Sequence, residues 1–241
     1  MDTNAKGSFM ETYLTPIAVV LGCIIIAVAV AFGQGGTKNT ADGQPLAVDI
    51  KEVDTDSGPY IGEKGAPVVM AVWFDYQCPF CKQFELTAME QVYTNYVATG
   101  KVRVVFKDFQ FLDEFSKNPD RVEDSISAAL FGRAVWEAHP DQYRTWFIAM
   151  AESQDEEFGG FGDFASVEAL TRTIPGIDGD RVVRLVTEKR AEYEAAIAAD
   201  RAEGQSLGIN GTPSVIIGTT LLSGAETYEK VSGLLDAELA K

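Results

Sequence analysis

The chain has 241 residues, 46% hydrophobic and 23% charged, enough for one core or one core with an insertion. A formal net charge of −16 argues against nucleic acid as a partner, because phosphate binding needs clustered Lys and Arg. Three cysteines are too few for a disulfide-stapled scaffold.

Residues 1–13 form a short polar tail. Residues 14–32 follow without a single charge, dense in Ile, Val and Ala and long enough to cross hydrocarbon as a helix. Ala27, Ala29 and Ala31 offer small-residue cleavage sites, but the apolar stretch exceeds the usual signal length, so an uncleaved anchor with its N-terminus inside is expected. Cys23 lies within this run. Val20-Leu21-Gly22-Cys23 faintly matches a lipidation site, yet nine more apolar residues follow where a lipoprotein turns polar, so Cys23 is read as a lipid-facing thiol. Residues 33–44 are a Gly-rich flexible linker.

The folded domain is expected over residues 45–241. Residues 45–50 read as a first strand and 54–65 as turns. Residues 68–74, Val-Val-Met-Ala-Val-Trp-Phe, are an apolar β-branched and aromatic run that reads as a buried strand. From Pro79 to about Val97, Met89, Val92, Tyr93, Tyr96 and Val97 recur at helical spacing, and Gly100 closes the helix. Alternation over residues 101–106 gives another strand, completing a β-α-β unit.

At the strand–helix junction stands Cys78-Pro79-Phe80-Cys81. Pro79 suits the first helical turn, where its missing N–H costs nothing. Unpaired backbone N–H groups and the positive end of the helix dipole favour a thiolate at Cys78. Such settings lower a thiol from about 8.5 to about 3.5–7.5. Cys81, one turn further in, is placed to close a disulfide. An exposed, acidified Cys78 with a covered Cys81 is the minimum for thiol–disulfide exchange. No other Cys or His is near enough in sequence to complete a metal site, and no cofactor is implied.

From about residue 116 to 200 the pattern turns helical. Val122, Ile126, Ala129 and Leu130 mark one helix, and Tyr143, Phe147 and Met150 a second. Residues 159–162 break the chain, 166–174 form a short helix stopped by Pro175-Gly176, and 182–203 form a helix bent or split midway. Trp136, Tyr143, Trp146 and Phe147 read as core, and His139 before Pro140 as a capping or surface residue. Strands over 213–218 and 220–222 and an amphipathic helix over 225–239 end the chain.

Five ordered stretches carry a resemblance. They are Gly65-Ala66-Pro67-Val68, residues 74–82 around the cysteines, Val105-Phe106-Lys107-Asp108-Phe109, Ala134-Val135-Trp136-Glu137, and Gly208-Ile209-Asn210-Gly211-Thr212-Pro213-Ser214. Together they resemble the DsbA family of bacterial extracytoplasmic thiol–disulfide oxidoreductases, from about Asp49 to the C-terminus. The resemblance implies an α/β thioredoxin-like fold with a helical insertion, here behind a single N-terminal transmembrane helix. It implies Cys78 as nucleophile, Cys81 as resolving thiol, and Pro213 as a cis-proline facing them. Thr212 would then face the sulfurs and offer its backbone to an extended substrate. Where the family often carries a buried Glu, six residues before the first cysteine, this chain has Val72. Asp75 and Lys107 are the nearest charged candidates, as assistants or as an ion pair beside the site. Phe80 offers no cation and stabilises the thiolate less than a His would.

The resemblance implies disulfide donation to cysteine-containing proteins on the extracytoplasmic side of the cell membrane. A membrane-embedded reoxidising or reducing partner is expected, with the lipid bilayer reached through residues 14–32. A reductase or isomerase using the same site, a peptide-binding holdase with an idle redox pair, and a thiol metal carrier are the rivals.

Overall fold

A computed structural model gives the fold, and it describes residues 46–118, 123–156 and 159–241. The expected membrane span, the linker and Cys23 lie outside the described residues. Among the described residues no helix is long and apolar enough to cross a membrane.

The centre is strand β3 (Val68–Phe74), which is covered along nearly its whole length. Its β-branched and aromatic residues suit a pleated surface packed on both faces. Residues 46–47 and 60–61 are the edge strands β1 and β2, β4 is Val102–Asp108, β5 is Ser214–Ile217 and β6 is Thr220–Ser223. The sheet order is β1-β6-β5-β3-β4-β2. β3 runs parallel to β4, with Val68 opposite Val102 and Phe74 opposite Asp108, and antiparallel to β5, with Trp73 opposite Ser214. Alternate side chains of β3 enter different cores. Met70, Val72 and Phe74 face the larger one, with Phe106, Leu130 and Trp146, while Ala71 and Trp73 pack with Phe109, Ile209 and Ile216.

Helix α1 follows β3. It is α-helical over Pro79–Phe84 and Glu90–Val92, and widens into π-helical turns over Glu85–Met89 and Tyr93–Val97. The insertion adds α2 (Asp124–Ala138), α3 (Tyr143–Ser153), α4 (Phe164–Thr173), α5 (Gly179–Glu188) and α6 (Arg190–Ser206), and α7 (Tyr228–Leu239) closes the chain. Three of these starts are set by side-chain caps. Asp163, Asp178 and Thr227 each accept from the backbone N–H three residues on. The caps place α4 and α5 a few residues before their apolar pattern begins, and α7 three residues after residue 225. The expected split of the long helix falls at Lys189, between α5 and α6. His139 ends α2, and its Nε2 accepts from the N–H of Asp178, the cap of α5. β2 sits in the segment read as turns. With only Tyr60 and Ile61 it is too short to show an alternation.

A buried charge cluster joins the insertion to the sheet. Lys107 Nζ of β4 reaches Asp200 Oδ1 at 2.7 Å and Glu203 Oε2 at 2.9 Å, both on α6. Arg133 of α2 reaches Asp108 Oδ2 at 2.7 Å and also pairs with Asp200. Trp73 Nε1 donates to the Asp200 carbonyl at 3.0 Å. Burial works against the Lys107 ammonium, and the Asp200 and Glu203 carboxylates more than offset it, holding its pKa above the usual value.

Asp200→Ala leaves Lys107 and Arg133 buried with fewer anions, and should cost about 3–5 kcal/mol in urea unfolding. An unchanged midpoint would show the cluster to be dispensable. Gly132→Ala tests packing inside α2, since an added Cβ would land on the Tyr76 hydroxyl. Helix propensity alone favours Ala by about 1 kcal/mol. The clash should win, with a net loss of about 1–3 kcal/mol in the same measurement.

Candidate active site

Past the end of β3 the chain turns at Asp75-Tyr76-Gln77 and enters α1 with Cys78 as the N-cap, in extended conformation, and Pro79 in the first turn. The turn is held by Asp75. Its carboxylate is fully buried and accepts from Gln77 N (2.9 Å), Ser125 Oγ (2.7 Å), Phe111 N (3.0 Å) and Leu112 N (3.1 Å). Burial raises its pKa, and these hydrogen bonds oppose the rise. The Asp75 carbonyl accepts the Cys78 N–H at 3.1 Å. Of the two expectations for Asp75 and Lys107, assistants or an ion pair beside the site, the structure does not show the ion pair. Donors from three segments take up the Asp75 oxygens, and the ammonium lies among the α6 carboxylates.

The Thr212–Pro213 peptide bond is cis, and the Thr212 carbonyl lies 3.4 Å from Cys78 Sγ, within reach of the thiol as donor. Pro213 is buried and Thr212 half-buried. Cys78 and Cys81 are free thiols. The Cys81 thiol, as a donor to Cys78 sulfur, does most to lower the Cys78 pKa; burial opposes it, and Thr212 and the N–H groups of Cys81 and Phe80 add to the lowering, leaving it at about 7. Burial pushes Cys81 well above the usual thiol range, and its role as donor to Cys78 pushes the same way.

Cys78 is not the bare sulfur expected from a helix start, since the residue is only 4% exposed. By surface area Cys81 is the more open of the two residues, yet protein atoms surround its sulfur more densely. The ionisation asymmetry follows the second measure, because solvation of the sulfur depends on the whole volume around it. Phe80, between the cysteines, is 60% exposed and borders an open groove with Gln83, Thr212, Ser223 and Glu226. Val72 lies in the apolar core beside Val215 and Phe106.

Ser125, Gln154 and Glu85 also line or brace the site and were not picked out by motif. Glu85 alone left a signal, because it stands four residues after Cys81 and so on the same helix face.

Residues 54–237 match the family model described as Thioredoxin. The chain is 23% identical over 182 residues to a probable disulfide bond formation protein D of Bacillus anthracis, covering 75% of this chain and 78% of that one. It is also 23% identical over 191 residues to disulfide bond formation protein D of Bacillus subtilis (strain 168), covering 75% and 77%. Among solved structures, oxidised BdbD of Bacillus subtilis superposes with a TM-score of 0.67 at 20% identity, covering 82% of this chain and 98% of that one. With Cys78 just past the end of β3 and the cis-proline against it, the match spans the elements that build the site, and the chain belongs to the thioredoxin family, with similarity to disulfide bond formation proteins of the DsbA-like type.

Proposed function

We propose that this chain is a thiol–disulfide oxidoreductase that donates disulfides to extracytoplasmic proteins, with Cys78 as nucleophile and Cys81 as resolving thiol. The observation that carries the reading is the opposed ionisation of two adjacent thiols, one held at about 7 and the other pushed up by burial, beside a cis-proline. In the oxidised protein a substrate thiolate attacks Cys78 Sγ. The S–S bond breaks, a substrate–Cys78 disulfide forms, and Cys81 leaves with the electron pair. A second substrate thiolate then attacks the mixed disulfide and releases Cys78 as a thiolate, which the Cys81 thiol and the α1 N–H groups stabilise. Thr212 and Pro213 offer an extended backbone edge to the substrate at this point. In this reading residues 14–32 tether the domain to the membrane, and a membrane-embedded partner reoxidises it.

One observation favours a second reading, the same site run as a reductase. A thiol near 7 stabilises the reduced state only mildly, whereas strong oxidants reach about 3.5. Equilibration of the full chain with glutathione buffers separates the two. A potential near about −120 mV marks a donor, and one near about −270 mV marks a reductase.

Cys78→Ser should abolish exchange with a reduced model substrate, whereas Cys81→Ser should accumulate mixed disulfides visible on a non-reducing gel. Exchange that survives Cys78→Ser would end the proposal. Alkylation of the reduced protein by iodoacetamide should rise with pH through a midpoint of about 7, reporting the Cys78 thiolate. A midpoint at or above about 8.5, the free-thiol value, would remove the electronic basis of the reading.

A further inference from the structure

Phe80 and Phe115 are the two exposed large apolar side chains among the described residues, and Phe80 stands between the paired cysteines. A lone exposed aromatic needs no explanation, but Phe80 walls an open groove of about 410 Å³. Thr212 lines the same groove, and its carbonyl lies 3.4 Å from Cys78 Sγ, so a chain that attacks this sulfur passes along it. The volume falls within the range of ligand sites.

The one charged side chain lining the groove is Glu226. The backbone on both sides holds it in place. Gly224 N–H donates to the Pro213 carbonyl at 2.8 Å, and Thr227, the next residue after Glu226, caps α7. The Glu226 side chain is 24% exposed, and its Oε1 accepts from Lys230 Nζ at 2.6 Å. Lys230 is half open to solvent one turn along α7 and does not line the groove. It takes one of the two carboxylate oxygens. An exposed pair of this kind is weak, so a second cation arriving from the groove can share the carboxylate or displace Lys230 from it.

We propose that Glu226 is a specificity-determining residue, selecting substrate segments that carry Lys or Arg beside the reacting cysteine. The proposal rests on the reading of Cys78 and Cys81 as the exchange centre. An extended segment laid against the Thr212 backbone sends the side chains that flank its cysteine into the groove. Lys and Arg lay an apolar stem on apolar surface and keep the charged head in a polar place. The Phe80 ring takes the stem, and the Glu226 carboxylate takes the head. The formal net charge of −16 draws the same cationic segments from a distance. That attraction is screened beyond about 8 Å at physiological salt and does not choose which residue meets Cys78. A carboxylate fixed in the groove does.

The test uses the oxidised full chain and three synthetic peptides, each with two cysteines flanked on both sides by Lys, by norleucine or by Glu. Norleucine keeps the length and apolar stem of Lys without the charge. A peptide thiolate attacks Cys78 Sγ, the second closes the peptide disulfide, and Cys78 and Cys81 are left reduced. Acid quench and mass measurement give the second-order rate of peptide oxidation. A neighbouring Lys acidifies a peptide thiol and speeds any exchange, so each rate is divided by that with a small neutral disulfide.

Wild type should favour the Lys peptide over the norleucine peptide by about fivefold at low salt, with the Glu peptide slowest and the preference shrinking as salt is added. Glu226→Gln should lower the Lys preference by about threefold while leaving the norleucine rate within about twofold. Lys230→Ala, which frees the second oxygen, should raise the preference by about twofold, a change in the opposite sense that a merely structural role for Glu226 would not produce. Should Glu226→Gln fail to fold, Lys230→Ala decides. Norleucine handled as well as Lys by wild type overturns the selection and makes the groove simply apolar. A Lys preference unchanged in Glu226→Gln assigns it to the overall charge and overturns the role of Glu226, as does a level or lower preference in Lys230→Ala. Each of these leaves the exchange centre intact. A wild-type chain that oxidises none of the three peptides overturns both readings.

Discussion

One buried carboxylate holds the turn before Cys78 in place. Asp75 lies where β3 runs out, and its two oxygens gather donors from its own turn, from the segment after β4 and from α2. Two of those segments belong to the thioredoxin core and the third to the insertion. A charge so deep is tolerable only while all its donors are kept. The same turn carries Cys78, whose N–H donates to the Asp75 carbonyl. The position of the Cys78 sulfur thus depends on the helical insertion being seated, through Ser125.

The insertion is seated by the second polar cluster, which reaches β4 through Lys107 and Asp108. Lys107 and Arg133 are cations in the interior, and Asp108, Asp200 and Glu203 answer them from two elements. Such pairs contribute little net energy over an apolar filling, but an arrangement that leaves one charge alone is costly. They therefore fix how α2 and α6 dock on β4. An apolar contact would allow α6 to slide, whereas Asp200 can meet Arg133, Lys107 and the Trp73 indole in one register only.

Local signals made the central part of this architecture legible in the sequence. The apolar run of β3, Pro79 in the first turn of α1 and a bend or split midway along 182–203 are local signals, and the structure has each of them, the split at Lys189. The cis Thr212–Pro213 bond came from resemblance, because residues on either side of it do not distinguish cis from trans. Long-range facts were not legible. Asp75 and Lys107 are near each other in pattern, but which partners they take depends on Ser125 and Asp200, 50 and 93 residues away in sequence. The Thr212 carbonyl, 134 residues away in sequence, lies against Cys78 Sγ, so a rule about helix starts alone overstates its exposure. Spacing puts Glu85 on the helix face of Cys81, but its burial comes from the packing of α3 against α1, which no local pattern carries.

The magnitude of the Cys78 shift separates rate from equilibrium. Lowering a thiol from 9.0 to about 7 stabilises the folded reduced state by about 3 kcal/mol at most. That stabilisation is complete only above the unfolded value of 9.0 and is lost as pH falls through about 7. At neutral pH, roughly 0.4 kcal/mol of it survives, equivalent to about 10 mV for a two-electron couple. The thiolate therefore does little to set the direction of exchange in a neutral compartment. Its effect is kinetic. In the proposed donation Cys78 is the leaving thiol of the second step, where a lowered pKa leaves faster. In the reverse direction it attacks, where a pKa near the surrounding pH is the fastest. In the proposed reading the disulfide-donating direction then comes from the supply of oxidising equivalents, and the contribution of Cys78 and Cys81 is to exchange quickly in whichever direction that supply dictates.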